Sequence, residues 1–274
     1  MKITVLVQAM VASLIFFPTK EYTALPKDYA ELKSEVVEIQ TSGGVKLVGW
    51  YLPYPKVAEE TFRTNTTIYL LHGNAGNIGD RLFKAREWIH RGYSVFLLDY
   101  RGYGQSEGKI TSEEDLYQDA RAGLKWLREV KKKDNKNIVL YGESIGCAPV
   151  IQLAVEDKQD FFAVILEAPF TSLPAVTKVH YSFIPTVILG GFQFDNLEKI
   201  SKVKTPVFVI HGEDDEICPF EMGKELFNKA AVEPKEFFEI PNGHHNDLPD
   251  VAGNEFYDRP NKFLELVYRL RSRA

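Results

Sequence analysis

Residues 137–156 read NIVLYGESIGCAPVIQLAVE. Asn137–Tyr141 is a short apolar run, the pattern of a buried strand, and Ile145–Glu156 has the apolar spacing of a helix. Between them lies Gly142-Glu143-Ser144-Ile145-Gly146, a G-x-S-x-G turn. A strand that passes into a helix through so short a turn holds the central serine in a strained backbone conformation and lifts its hydroxyl clear of the sheet edge. The two glycines leave room for neighbouring backbone. The Ile145 amide lies at a helix N-terminus, where it can face developing negative charge. The competing reading is a tight turn with an incidental serine. The strand–turn–helix context favours Ser144 as a nucleophile.

Outward from this turn, strand and helix patterns alternate. Glu35–Gln40 and Val45–Leu52 alternate apolar and polar residues around Ser42-Gly43-Gly44, which predicts an antiparallel hairpin. Buried strands are predicted over Thr67–Leu71, Tyr93–Leu98, Phe162–Leu166, Pro206–Ile210 and Lys235–Ile240. Helices are predicted over Arg81–Arg91, Thr111–Lys132, Pro219–Ala231 and Asn254–Leu270. On the second of these, Leu116, Ala120, Leu124 and Leu127 share one face, with Glu113 and Glu114 in the first turn. Such alternation implies an α/β fold: a mostly parallel central sheet covered by helices on both faces. Right-handed crossovers collect the strand C-terminal ends at one edge, where ligands bind.

The rhythm breaks between Leu166 and Pro206. This stretch carries Pro169, Pro174, Pro185, Gly190 and Gly191 among many Phe, Tyr, Ile and Val residues. So long a connection is functional or a small subdomain. It leaves a strand C-terminal end, so it is read as a short helical lid over about residues 170–204. The alternative is an ordinary packing insertion. Its aromatics, Phe170, Tyr181, Phe183, Phe192 and Phe194, either line a pocket over the site or pack the lid. His180 is read as a surface or packing residue.

A second motif, Leu71-His72-Gly73-Asn74-Ala75-Gly76-Asn77, follows the strand Thr67–Leu71. Small residues here let backbone amides point into the site, and the Asn74 amide is the natural second oxyanion donor. His72 abuts the strand end and is read as structural. The loop lacks the Gly-Lys-Ser/Thr ending of a phosphate cradle. Asp99-Tyr100-Arg101-Gly102 reads as a structural turn in which Asp99 and Arg101 pair locally. A hydroxyl nucleophile needs a base, and the base needs an orienting acid. His211-Gly212-Glu213-Asp214-Asp215 follows the strand Pro206–Ile210, and Asn242-Gly243-His244-His245-Asn246-Asp247 follows the last strand. The residues alone do not choose between Asp214 and Asp215, or between His244 and His245.

Five ordered motifs, LHGNAGN (71–77), DYRGYGQSEG (99–108), GESIG (142–146), HGEDDEICP (211–219) and HHND (244–247), resemble the membrane-tethered α/β hydrolases related to eukaryotic protein depalmitoylases and monoacylglycerol lipases. FFPTKEY (16–22), GWYLP (49–53) and APFTSL (168–173) are similar to that family as well. The resemblance covers nearly the whole chain after about residue 16. It implies the α/β-hydrolase fold, with Asp215 as the acid and His245 as the base completing a Ser-Asp-His triad with Ser144. It further implies an acyl-enzyme route on esters or thioesters of acyl, lipid-like substrates. His244 replaces the family's usual glycine before the histidine.

The chain's 274 residues, 45% hydrophobic and 26% charged, suffice for one sizeable core. Net charge is −5, from 33 basic and 38 acidic residues. With no basic excess to neutralise phosphates, nucleic acid is not an expected partner. No His, Cys or carboxylate cluster has metal spacing and no cofactor loop is present, so no cofactor or metal is expected. Cys147 and Cys218 read as two buried free thiols. Ile3–Phe17 is nearly all apolar, yet at 15 residues it is shorter than the ~20 that span a bilayer. It resembles a signal h-region or short signal anchor, which would make the protein membrane-associated or exported. Otherwise it is a buried first element of a cytoplasmic domain. Residues 1–17 are therefore set apart from the hydrolase domain, 18–274. Asn65-Thr66-Thr67 matches a glycosylation acceptor. Rival functions are a peptidase on the same fold and a non-catalytic binding protein; the latter would not need a complete triad.

Overall fold

The computed structural model describes residues 10–29, 31–55, 61–157, 159–181, 183, 185, 189 and 191–273. Eight strands form the central sheet: β1 (Glu35–Gln40), β2 (Lys46–Leu52), β3 (Thr67–Leu71), β4 (Ser94–Leu98), β5 (Ile138–Glu143), β6 (Ala163–Glu167), β7 (Val207–Gly212) and β8 (Lys235–Ile240). Their spatial order is β1-β2-β4-β3-β5-β6-β7-β8. Strand β2 runs antiparallel to β1 and β4, and the remaining neighbours are parallel. The chain steps from β3 to β4 on one side, then returns to place β5 on the other. The loops leaving β3 and β5 therefore diverge, and a crevice opens at this switch point.

Period-2 alternation assigns each strand's side chains to two cores. Along β3, Tyr69 and Leu71 enter one core and Ile68 and Leu70 the other. Helices α2 (Glu113–Glu129) and α3 (Cys147–Glu156) cover the first face through Leu116, Ala120, Leu124, Val150 and Ile151. Helices α1 (Leu82–His90) and α8 (Glu255–Arg271) cover the second through Ala85, Trp88, Phe256, Phe263 and Leu264. Ser112 caps α2, accepting from the Asp115 amide while the Asp115 carboxylate accepts from the Ser112 amide. This reciprocal cap satisfies two otherwise orphaned donors.

The connection after β6 contains helix α4 (Leu173–His180) and leads to α5 (Asn196–Ile200). Helix α6 (Phe220–Lys229) joins β7 to β8, and the short α7 (Leu248–Ala252) follows the histidine loop. Helix α7 was not legible as a periodic segment, because five residues containing Pro249 carry no repeat. Residues 10–15 are helical, and no helix among the described residues is long and apolar enough to cross a membrane. Residues 1–9 of the expected anchor lie outside the described residues. Thr67 of the glycosylation triplet is buried in β3. Both cysteines are free and buried.

Candidate active site

Ser144 sits between β5 and α3 with φ of +52°, in the left-handed region that L-residues avoid. Holding it there costs on the order of 1–3 kcal/mol, which surrounding contacts must over-determine. The flanking glycines show how. A Cβ at Gly142 would stand 2.6 Å from Cys147 Cα, and one at Gly146 would overlap the Leu71 carbonyl at the end of β3. The elbow is clamped between its own helix and the neighbouring strand.

The loops after β7 and β8 deliver the partners. His245 Nε2 lies 2.9 Å from Ser144 Oγ, and His245 Nδ1 lies 2.8 Å and 3.0 Å from the two Asp215 oxygens. In a neutral ring carrying its proton on Nδ1, that N–H donates to Asp215 while Nε2 accepts from the Ser144 hydroxyl. Asp215 Oδ1 also accepts from the Ile217 and Cys218 amides, at 2.9 Å and 2.7 Å. Burial works to raise the Asp215 pKa, but the donors on His211 and His245 outweigh it and hold the carboxyl well below its usual range. Their neighbours face elsewhere. Asp214 is exposed, with its amide on the Gly243 carbonyl; His244 is exposed, with its ring near Glu216.

The loop after β3 completes the crevice. Asn74 and Ile145 line the same cavity as Ser144. His72 is fully buried between the rings of Tyr100 and Tyr103, and its Nδ1 bonds the Gly73 carbonyl. Burial pushes its pKa down to about 3, so the ring is neutral. The expected local pair of Asp99 and Arg101 does not form. Arg101 instead forks onto Asp119 of α2, at 2.7 Å and 2.9 Å, and also bonds Asp115. Asp99 accepts from Tyr22 Oη and the Ile78 amide. Helix α2 brings two carboxylates across the Arg101 fork, which a reading of adjacent residues misses.

The cavity encloses about 570 Å³, within the ~300–1,000 Å³ of small-molecule sites. Its walls are mainly apolar: Leu173 and Val176 from α4, Phe170 and Leu189 from the same insertion, and Val11, Leu14 and Ile15 from the N-terminal segment. Helix α4 is pinned beside the site, its Leu173 amide on the Gln193 carbonyl and His180 Nε2 on the Ile217 carbonyl at 2.8 Å. The insertion's aromatics divide. Phe170 and Tyr181 line the cavity, Phe192 and Phe194 are fully buried packing residues, and Phe183 is exposed.

A family profile described as serine aminopeptidase, S33 matches residues 63–189. An uncharacterized protein of Mycobacterium tuberculosis is 35% identical over 92% of this chain and 86% of its own length. The Arabidopsis thaliana alpha/beta hydrolase domain-containing protein WAV2 is 31% identical over 95% of this chain and 89% of its own. The chain belongs to the α/β-hydrolase family. Schizosaccharomyces pombe protein bem46 is 32% identical over 84% of the chain and 76% of its own length. The Pyrococcus furiosus esterase Pf2001 shares the fold, with a TM-score of 0.73 at 23% identity over 92% of this chain and 97% of its own.

Behind the elbow, this α/β hydrolase carries a buried ion cluster that the sequence reading did not single out. Glu143 and Glu167 are register partners at the ends of β5 and β6. Lys84 of α1 reaches both, at 2.6 Å and 2.8 Å, and Arg81 binds Glu143 at 2.5 Å. Tyr141 Oη donates to Glu167 at 2.7 Å. Burial opposes ionisation of Glu143, but Arg81 and Lys84 hold its carboxyl far below the usual range. Arg81 Nη1 also donates to the Ala75 carbonyl at 2.9 Å, tying the loop after β3 to the residue preceding Ser144. The available signal was a carboxylate at the end of each of two neighbouring buried strands. Two such charges side by side require a cation.

Proposed function

We propose that this α/β hydrolase is a serine hydrolase cleaving carboxylic esters or thioesters of acyl, lipid-like substrates. The observation that carries this reading is the hydrogen-bonded chain Ser144–His245–Asp215 opening on an apolar cavity. His245 Nε2 takes the Ser144 proton as Oγ attacks the acyl carbonyl. The amides of Asn74 and Ile145 hold the resulting oxyanion, each contributing roughly 3–4 kcal/mol in the transition state. The carbonyl then re-forms, the C–O or C–S bond breaks, and His245 returns the proton to the departing alcohol or thiol. Water activated by the same imidazole attacks the acyl-enzyme and frees the acid. Asp215 keeps the imidazole in the productive tautomer and offsets its positive charge.

A fluorophosphonate probe is expected to label the wild-type protein and not Ser144→Ala, and that variant should lose p-nitrophenyl ester hydrolysis. Wild-type turnover by Ser144→Ala would refute the assignment.

The S33 match favours a peptidase as the second reading. An aminopeptidase site needs an anion for the substrate's ammonium group, and no Asp or Glu is among the described residues lining the cavity. Aminoacyl p-nitroanilides are therefore expected to be poor substrates beside esters; the reverse ranking would establish the peptidase. Membrane association belongs to the same proposal. Leu14, Phe17, Tyr181 and Ile217 line the cavity and are exposed as well, an apolar rim suited to a lipid surface. Co-sedimentation with phospholipid vesicles, lost in a Leu14→Ser/Phe17→Ser/Tyr181→Ser variant, would support it. Equal sedimentation of both forms would show that the rim does not contact lipid.

A further inference from the structure

The apolar N-terminal segment has a second character beside that of an anchor. From Val11 onward it is built into the site. Val11 and Ala12 are buried in the core that contains α2 and α3, and Phe16 packs on Phe192 with ring centroids 5.9 Å apart. The segment then pairs in parallel with the loop after β3, Phe17 opposite Ala75 and Pro18 opposite Gly76. The Phe17 amide donates to the Asn74 carbonyl at 2.8 Å, and the Thr19 amide donates to the Gly76 carbonyl at 3.1 Å. Side chains complete the lacing: Asn74 Nδ2 donates to the Ile15 carbonyl at 3.0 Å, and Asn77 Nδ2 donates to the Glu21 carbonyl at 2.7 Å. Backbone pairing of this kind fixes register, so the side chains upstream of Phe17 occupy defined places.

Those places are on the cavity. Val11, Leu14, Ile15 and Phe17 line it together with Ser144, while α4 supplies Leu173 and Val176. Beside Ile217 and Cys218 of the loop after β7, the cavity is thus walled mainly by two segments outside the central sheet. One belongs to the insertion after β6, and the other is the segment whose hydropathy alone reads as an export or anchoring signal.

We propose that residues 11–17 are the acyl-binding wall of the enzyme and set the acyl length it accepts. This rests on the reading of Ser144 as the nucleophile. Leu14 is the residue through which the wall can be altered, because it lines the cavity yet is 69% exposed. A larger side chain there needs no repacking of the core. Each methylene transferred from water into an apolar pocket strengthens binding about fourfold. Filling space for two or three methylenes therefore changes selectivity by roughly 15–60-fold. It also follows that the functional enzyme retains this segment, since removal at residue 17 would delete the wall.

The test is a series of p-nitrophenyl esters from acetate to dodecanoate on the full chain, with Leu14→Trp, Leu14→Ala and Ser144→Ala. Leu14→Trp is expected to lower the ratio of kcat/KM for octanoate to that for acetate at least tenfold. Leu14→Ala is expected to move the optimum toward longer chains. Superimposable chain-length profiles for wild type and both Leu14 variants, with Ser144→Ala inactive, would overturn the wall while leaving the nucleophile intact. Hydrolysis persisting in Ser144→Ala would overturn the reading on which the wall rests.

Discussion

Gly212 and Gly243 pack so closely that a Cβ on Gly212 would overlap the Gly243 carbonyl oxygen. The first ends β7 and the second closes the turn after β8, two residues before His245, so this contact sets the spacing between the acid loop and the histidine loop. The Asp214 amide donates to the same carbonyl at 3.0 Å, and the Glu213 amide donates to the Ile240 carbonyl. Gly212→Ala must push the loops apart. We expect a loss of about 1–3 kcal/mol in stability from overpacking. A kcat reduction of at least tenfold should accompany it, as the His245–Asp215 bond is displaced. Urea denaturation and ester kinetics on one preparation check both; a stable variant of unchanged kcat would show the spacing to be unimportant.

Asp215 and Asp214 are adjacent, but only Asp215 meets His245. Asp215→Asn keeps an acceptor for the Ile217 and Cys218 amides while removing the charge that faces Nδ1. The imidazole can then adopt the wrong tautomer, and kcat should fall by about 10³–10⁴. Asp214→Asn, on an exposed side chain, should stay within about threefold of wild type. Equal losses in the two variants would mean that the acid had been misassigned.

What could be read from sequence was what is encoded locally. The elbow lies within 20 consecutive residues, and its glycines, strand and helix all point to one conformation. The sheet was legible because buried parallel strands are short apolar runs separated by helical patterns. The choice of Asp215 over Asp214, and of His245 over His244, was not legible from the residues. The two loops meet only through tertiary contact, the Gly212–Gly243 approach joining segments 31 residues apart in the chain. Hydropathy equally could not separate a membrane segment from a protein-packed one: Val11, Ala12 and Phe16 satisfy both, and in the fold they enter the core. The supposed Asp99–Arg101 pair failed for a related reason, since Asp119 lies 18 residues beyond Arg101 and reaches it only through the register of α2.

Lys84 is the shared cation of Glu143 and Glu167, and all three are shielded from solvent. Removing one partner of such a cluster leaves uncompensated buried charge. Lys84→Met should therefore cost about 3–5 kcal/mol. The double variant Lys84→Met/Glu167→Gln removes one charge of each sign and should recover part of that loss. Glu143 immediately precedes Ser144, so kcat should fall more than KM rises in the single variant. A loss below about 1 kcal/mol would show that the cluster is not the scaffold of the elbow.

Asp99 supplies a pH dependence of stability with a definite sign. It is fully buried, and burial pushes its pKa up from 3.8 to about 7 against the opposing hydrogen bonds from the Ile78 amide and Tyr22. A carboxyl whose pKa is raised by folding binds its proton more tightly in the native state. Its contribution is complete below the unfolded value, near pH 4, and is lost as pH rises through about 7. Asp99→Asn cannot ionise, yet its Oδ1 can still accept from Ile78. The stability of Asp99→Asn relative to wild type should thus increase steadily from pH 4 to pH 7, by about 1–4 kcal/mol in all. His72, 3.7 Å from Asp99 and neutral through burial, contributes the opposite slope in both proteins. Taking the difference between the two stability curves therefore isolates Asp99. Parallel curves across that range would mean that Asp99 titrates as an ordinary carboxylate and is ionised in the native protein.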